Sequence, residues 1–105
     1  MIARIWHGWT TPAKADEYEQ LLKTEVFPGI ENKKVRGFKK ISLLRRSQGD
    51  EVEFITIMLF DDLEAVKRFA GEDFEKAYVP PKGHQVLSHY DAESQHYEIR
   101  HELAY

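Results

Sequence analysis

Glu53 to Gly71 reads EFITIMLFDDLEAVKRFAG, an apolar run followed at once by a sharp turn and an amphipathic segment. Its first part, Phe54 to Phe60, is an uncharged run with bulk on both sides of a period-two pattern. Phe54, Met58 and Phe60 fall on one face, and Ile55, Ile57 and Leu59 on the other. A strand of that kind sits inside a sheet and is covered on both faces. Asp61-Asp62 then turns the chain into a short amphipathic helix with Leu63, Val66, Phe69 and Ala70 as its apolar stripe. Asp61 is expected to cap it, with Glu64 three residues later, and Gly71 to end it.

Outward from this unit, Ser47 to Asp50 has the composition of a hairpin turn. The strand before it spans Phe38 to Arg46, entered through Gly37, with Ile41 and Leu43 on one face and Phe38 and Leu44 on the other. At the front, Ile2 to Trp9 reads as a central strand. Ala3, Ile5, His7 and Trp9 alternate with Ile2, Arg4, Trp6 and Gly8. Thr11-Pro12 opens a helix with a stripe of Ala15, Tyr18, Leu22 and Val26, which Pro28-Gly29 is expected to interrupt. After Gly71, residues 72–78 suggest one more helical turn, ended by Pro80-Pro81. A last strand is expected to begin at Val86-Leu87, to loop at Asp91 to Ser94 and to resume from His96 to His101.

The order is βαββαβ in a single domain over 1–105. The expected fold is α+β and ferredoxin-like: a four-stranded antiparallel sheet with two helices on one face. The helix-free face then needs a cover. Trp6, Phe54 and Met58 are expected on it, which points to a homodimer.

Composition sets outer bounds. A net charge of −3 argues against a nucleic-acid partner. The chain has no cysteine, which excludes disulfides, thiolate metal sites and cysteine nucleophiles. No run approaches the roughly 18 apolar residues of a membrane span, and MIARIWHGW is too short and interrupted for a signal-peptide core. The expectation is a cytoplasmic protein without a membrane partner.

The segments IARIWHGWTTPAKADEYEQLL, GFKKISLLRR and EFITIMLFDDLEAVKRFAGEDFEKAYVP, with the tail LSHYDAESQHYEIRH, carry a resemblance over nearly the whole chain. The chain resembles the antibiotic-biosynthesis-monooxygenase-like group of dimeric α/β barrels. That resemblance implies the dimeric barrel fold and a hydrophobic or aromatic small-molecule substrate. It also implies oxygen chemistry without a cofactor. Haem-degrading members of the group use an Asn on the first strand, a Trp late in the second helix and a His soon after. Here the sole Asn is Asn32, Phe69 stands about where the Trp would be, and Tyr78-Val79 about where the His would be. Haem chemistry is therefore not carried over, and no cofactor is expected.

Histidine titrates near neutral pH, so the five histidines lead the search for chemistry. His84 and His89 are five residues apart, as are His96 and His101, a spacing that sends strand side chains to opposite faces. No metal site is expected. His7, Tyr78 and His96 are the candidate catalytic residues. A His, a Tyr and a Trp lining one cavity would bind an aromatic substrate and move a proton. Trp9, Phe69, His89 and Tyr97 are the candidate substrate-binding residues. Each also has a plainer reading: His7 as a structural residue at a dimer seam, Tyr78 as a ring closing the core, Trp9 and Phe69 as packing. The basic residues of 33–40, with Arg45 and Arg46, read as solvated surface. Two function classes follow. One is a cofactor-independent monooxygenase or related enzyme. The other is a non-catalytic dimer that binds a small ligand or serves a stress role. An open apolar pocket with His7, Tyr78 or a tail histidine pointing into it would favour the first, and a closed, fully packed space between sheet and helices the second.

Overall fold

The expected central strands form and lie side by side in a computed structural model that describes residues 1–105. β1 (Ile2–Thr10) pairs antiparallel with β3 (Glu51–Phe60), with Ile2 opposite Phe60 and Thr10 opposite Val52. β3 pairs on its other side with β2 (Phe38–Gln48) through a tight turn in which Gly49 has φ +60°. The free edge of β1 takes two short strands, β4 (His89–Tyr90) and β5 (Gln95–Glu98). The sheet order is β2-β3-β1-β4, with β5 also on β1. The sequence-expected last strand is thus present as two pieces along one edge, split by the loop at 91–94. It starts later than Val86 and ends earlier than His101.

The first helix is not interrupted. A 3₁₀ turn Pro12–Lys14, α1 (Ala15–Leu21), a π-helical turn Leu22–Val26 and α2 (Phe27–Lys33) follow one another without a break. Pro28 is tolerated because it lies in the first turn after the wider π segment, where the hydrogen-bond ladder has already changed register. Lys34, with φ 48° and ψ 50°, ends the helix in the left-handed conformation.

α3 (Leu63–Ala70) is capped one residue later than expected. The Asp61 N–H still donates to the Gly37 carbonyl at 2.8 Å, which prolongs the β2–β3 edge. The cap is therefore Asp62, whose Oδ1 accepts from the Ala65 N–H at 2.9 Å. Gly71 closes the helix with φ +87°, a conformation that strongly favours glycine. Residues 72–75 form turns rather than a helix, and Lys76 then bridges to Glu93. Pro80-Pro81 does not end a helix but opens one, α4 (Pro81–Val86), with Pro81 in the first position where a missing N–H is harmless.

Packing against the helices settles which face looks inward. Phe54 packs edge-on to Tyr18 with ring centroids 5.0 Å apart. Trp6, Phe54 and Met58 all face the helices, so they do not form the open face. A bulge between Phe38 and Lys40 also reverses the phase of β2. Phe38 therefore stacks on Phe60 and Phe69 and shares the helix side with Leu43, while Leu44 is exposed on the other side. The open face instead carries Ile5, His7 and Trp9 of β1 and Ile55, Ile57 and Leu59 of β3, all half-buried. No helix is long and apolar enough to cross a membrane.

Candidate functional site

The helix side does not close into one core. Ala15, Tyr18, Leu22, Val52, Phe54 and Val86 form one buried cluster at one end. Phe60, Ala65 and Val66 form a second at the other. A domain of this size ordinarily has one contiguous core. Here the space between the clusters is a cavity of about 860 Å³. Its floor is the sheet, through Arg4, Trp6, Thr56 and Met58. The π-helical turn and α2 form one wall, and residues 76–82 the other. That second wall is tied down by backbone bonds from Ala77 to Ala92 at 2.9 Å and from Ser94 to Glu75 at 2.7 Å.

The walls are mostly apolar, with a few polar groups among them. Arg4 is 7% exposed and lies on the floor. Its Nη1 donates to the Phe74 carbonyl and to His96 Nε2, the latter at 2.9 Å. Its guanidinium carbon lies 5.8 Å from the centre of the Phe69 ring, and Lys33 Nζ lies 5.2 Å from the same centre. Burial lowers the Arg4 pKa from its ordinary value, but a guanidinium starts so high that it stays charged. Tyr18 also borders the cavity. Burial pushes its phenol up, so its hydroxyl keeps its proton and can donate. Thr56 and Ser94 complete the buried polar lining.

His96 is placed by pairing, since it stands opposite Arg4 across the β1–β5 ladder. An arginine only donates, so His96 Nε2 accepts and the ring proton rests on Nδ1. Burial, and then the charge of Arg4, hold the His96 pKa below its ordinary value. The unfolded chain therefore binds this proton more readily than the folded one. The stability that neutral His96 contributes is complete above its unfolded pKa of 6.5 and is lost as pH falls below that value toward the depressed native pKa. His96→Asn is expected to flatten the decline in urea midpoint between about pH 7 and pH 5. An unchanged decline would show that His96 is not its source.

The seven candidate residues divide between two faces. Phe69 and Tyr78 line the cavity, with Tyr78 80% exposed at the rim. His96 stands behind Arg4. His7, Trp9, His89 and Tyr97 do not border it. His7 Nδ1 lies 2.8 Å from Glu53 Oε2 on the open face and stacks on Trp9, which stacks on His89. His89 in turn pairs with Glu51 at 2.8 Å. Tyr97 stands opposite Ala3, on the same open face. No group of three or more His, Asp or Glu side chains is placed to hold a metal ion.

Arg4 is the residue that sequence reasoning passed over. Its signal was present: a charge between Ile2 and Trp6 on a strand face that is otherwise apolar. Arg45, by contrast, belongs to the surface. It pairs with Asp16 at 2.7 Å and Glu19 at 3.0 Å at the outer edge of the sheet.

Comparison with solved structures places this architecture. A candidate antibiotic biosynthesis monooxygenase from Bacillus cereus superposes with a TM-score of 0.67 at 16% identity, over 99% of this chain and 97% of that one. MhuD, a haem-degrader from Mycobacterium tuberculosis with two haems bound in its active site, gives 0.65 at 19% identity, over 99% and 100%. A mutant of MhuD with two manganese protoporphyrin IX molecules bound per active site gives 0.64 at 18% identity, over 99% of each chain. No protein-family model matches the sequence, and no curated protein matches it. At these identities the likeness is one of fold: this chain has the ferredoxin-like fold of antibiotic biosynthesis monooxygenase-like proteins.

Proposed function

We propose that the chain is a small-molecule enzyme acting on a hydrophobic, aromatic substrate, with cofactor-independent oxygenation as its reaction. The observation that carries this reading is the cavity. About 860 Å³ is left open between two core clusters that could have met, and its walls are apolar with a few polar groups. Phe69 offers an aromatic wall, Tyr78 at the rim is the group that would move a proton, His96 behind Arg4 would hold the guanidinium in place, and Trp6 is held on the floor by its bond to the Asp91 carbonyl at 2.8 Å. In this reaction class the substrate gives up a proton, and the resulting carbanion reduces oxygen directly.

The same reading includes a homodimer. The open face presents Ile5 of β1 and Ile55, Ile57 and Leu59 of β3 as an apolar surface, with Leu44 of β2 exposed beside it. A second copy laid face to face would cover it. The His7–Trp9–His89 stack and Tyr97 would then serve that seam.

Oxygen uptake with a panel of quinols and polyphenols tests the catalytic part. Wild type is expected to consume oxygen with at least one of them. Tyr78→Phe is expected to slow it by about 10²-fold or more if the hydroxyl moves the proton. Uptake that is indifferent to the change would remove Tyr78 from catalysis. A protein that binds such compounds but never consumes oxygen would support the second reading, a non-catalytic ligand-binding dimer, which the same cavity serves.

A further inference from the structure

We infer that the cavity selects an anionic ligand: an apolar, ring-bearing molecule whose single carboxylate seats against the side edge of the Arg4 guanidinium. This deepens the small-molecule reading above and rests on the same cavity, but it does not depend on any reaction taking place there.

Arg4 sits on the cavity floor. It is more than nine-tenths buried, yet none of the chain's ion pairs includes it. A buried charge is ordinarily paired, because removing it from water is costly. Its two bonds within the chain both leave from Nη1, to the Phe74 carbonyl and to His96. Nε and Nη2 make no bond within the chain. They are not sealed off either, since Thr10 Oγ1 is the only fully buried side-chain polar atom without a partner. The edge formed by Nε and Nη2 therefore keeps some exposure, on a residue that lines the cavity. Two parallel N–H groups on a fixed plane match the two oxygens of a carboxylate.

The plane is fixed because of what holds Nη1. The Phe74 carbonyl and the neutral His96 accept from that side, and the Phe69 ring lies against the cation. A guanidinium oriented in advance loses less entropy when it binds.

The charge around the cavity points the same way. Arg4, Lys33, Lys76 and Lys82 line it, against one carboxylate, Glu25, which Lys82 already engages at 2.9 Å. Lys33 and Lys76 have no carboxylate partner among the chain's ion pairs. An excess of positive charge gathers here in a chain whose net charge is −3. Such a field favours the entry of an anion into an otherwise apolar space.

The test uses a matched pair of fluorescent probes, pyrenebutyrate and pyrenebutanol, which share an apolar body and differ in the anionic end. Binding to the wild-type chain is followed by anisotropy. Pyrenebutyrate is expected to bind roughly ten- to a hundredfold more tightly than pyrenebutanol, as a charge-assisted bidentate bond implies. Arg4→Met, which keeps the volume and removes the charge, is expected to bind the two alike. Arg4→Lys is expected to retain part of the preference. Equal binding of the two probes by wild type would overturn the inference, as would failure of both to bind, or a preference undiminished in Arg4→Met. The wild-type comparison decides even if a variant does not fold. Oxygen uptake plays no part in it, so a chain that binds the anion selectively but consumes no oxygen would uphold this inference while removing the proposed reaction.

Discussion

Phe54→Ala is expected to lower folding stability by about 3–5 kcal/mol, the range for removing a fully buried phenylalanine ring from a core. Phe54 is 0% exposed and stands at the centre of the larger core cluster. It meets the edge of Tyr18 from α1 and pairs with Gly8 on β1, and the Arg45 guanidinium lies 5.6 Å from its ring centre. Alanine would lose the contacts that join the first helix to the middle of the sheet. The site also cannot collapse easily, because backbone surrounds it on β1 and β2 and the open cavity lies on the far side of Tyr18 and Leu22. At about 4–8 °C per kcal/mol for a domain of this size, Tm should fall by roughly 12 °C or more. Leu103→Ala, on the exposed C-terminal tail, should change Tm by only a few degrees. A Phe54→Ala loss no larger than that of Leu103→Ala would contradict the assignment of this cluster as the core that docks the helix.

The second large effect concerns the open sheet face. Ile57→Asp is expected to convert the proposed dimer to a monomer, with the dissociation constant raised by at least about a hundredfold. Ile57 lies mid-strand on β3, between Ile5 of β1 and Ser42 of β2, so it stands near the centre of the apolar surface. In a face-to-face dimer a two-fold axis presents each change twice, and each copy would bury a carboxylate without a partner. The substitution leaves the helix side untouched, so the far-ultraviolet spectrum of the monomer should match that of wild type. Sedimentation velocity at a few tens of micromolar gives the answer directly. A wild-type chain that sediments as a monomer at that concentration would eliminate the dimer. A dimer indifferent to Ile57→Asp would place the contact on another surface.

Reading the chain in one dimension worked best where the physics is local. The run Phe54 to Phe60, the turn near Gly49 and the helix ended at Gly71 depend on period, turn chemistry and the special backbone of glycine, and all three form. Local rules fell short by small amounts where a neighbour intervened. The cap moved from Asp61 to Asp62 because a carbonyl at Gly37, far away in sequence, holds the Asp61 N–H. Pro28 failed to break the helix because a π-helical turn had already shifted the hydrogen-bond register before it.

The candidate site was legible only in part. Phe69 and Tyr78 were named from the sequence and border the cavity, whereas His7, Trp9, His89 and Tyr97 gather on the opposite face. A strand's alternation says which residues share a face. It does not say which face meets the helices, since both faces of β1 and β3 are apolar enough to be buried.

The helix Pro81–Val86 and the splitting of the last strand were not legible in the sequence; β1, the first helix, β2, β3 and α3, in that order, and the two faces of β1 and β3 were. These follow from period, turn residues and caps, all of which act over a few positions. The tertiary structure alone decided that the face with Trp6, Phe54 and Met58 turns inward and that a bulge at Phe38–Lys40 brings Phe38 to the same side. It also decided what becomes of EFITIMLFDDLEAVKRFAG as a whole. One end of that stretch packs into the first cluster through Phe54, the other into the second through Phe60, Ala65 and Val66. The gap between them is the cavity with Arg4 on its floor. A gap is the distance at which two packed groups fail to meet, and that distance is fixed by contacts between segments far apart in the chain.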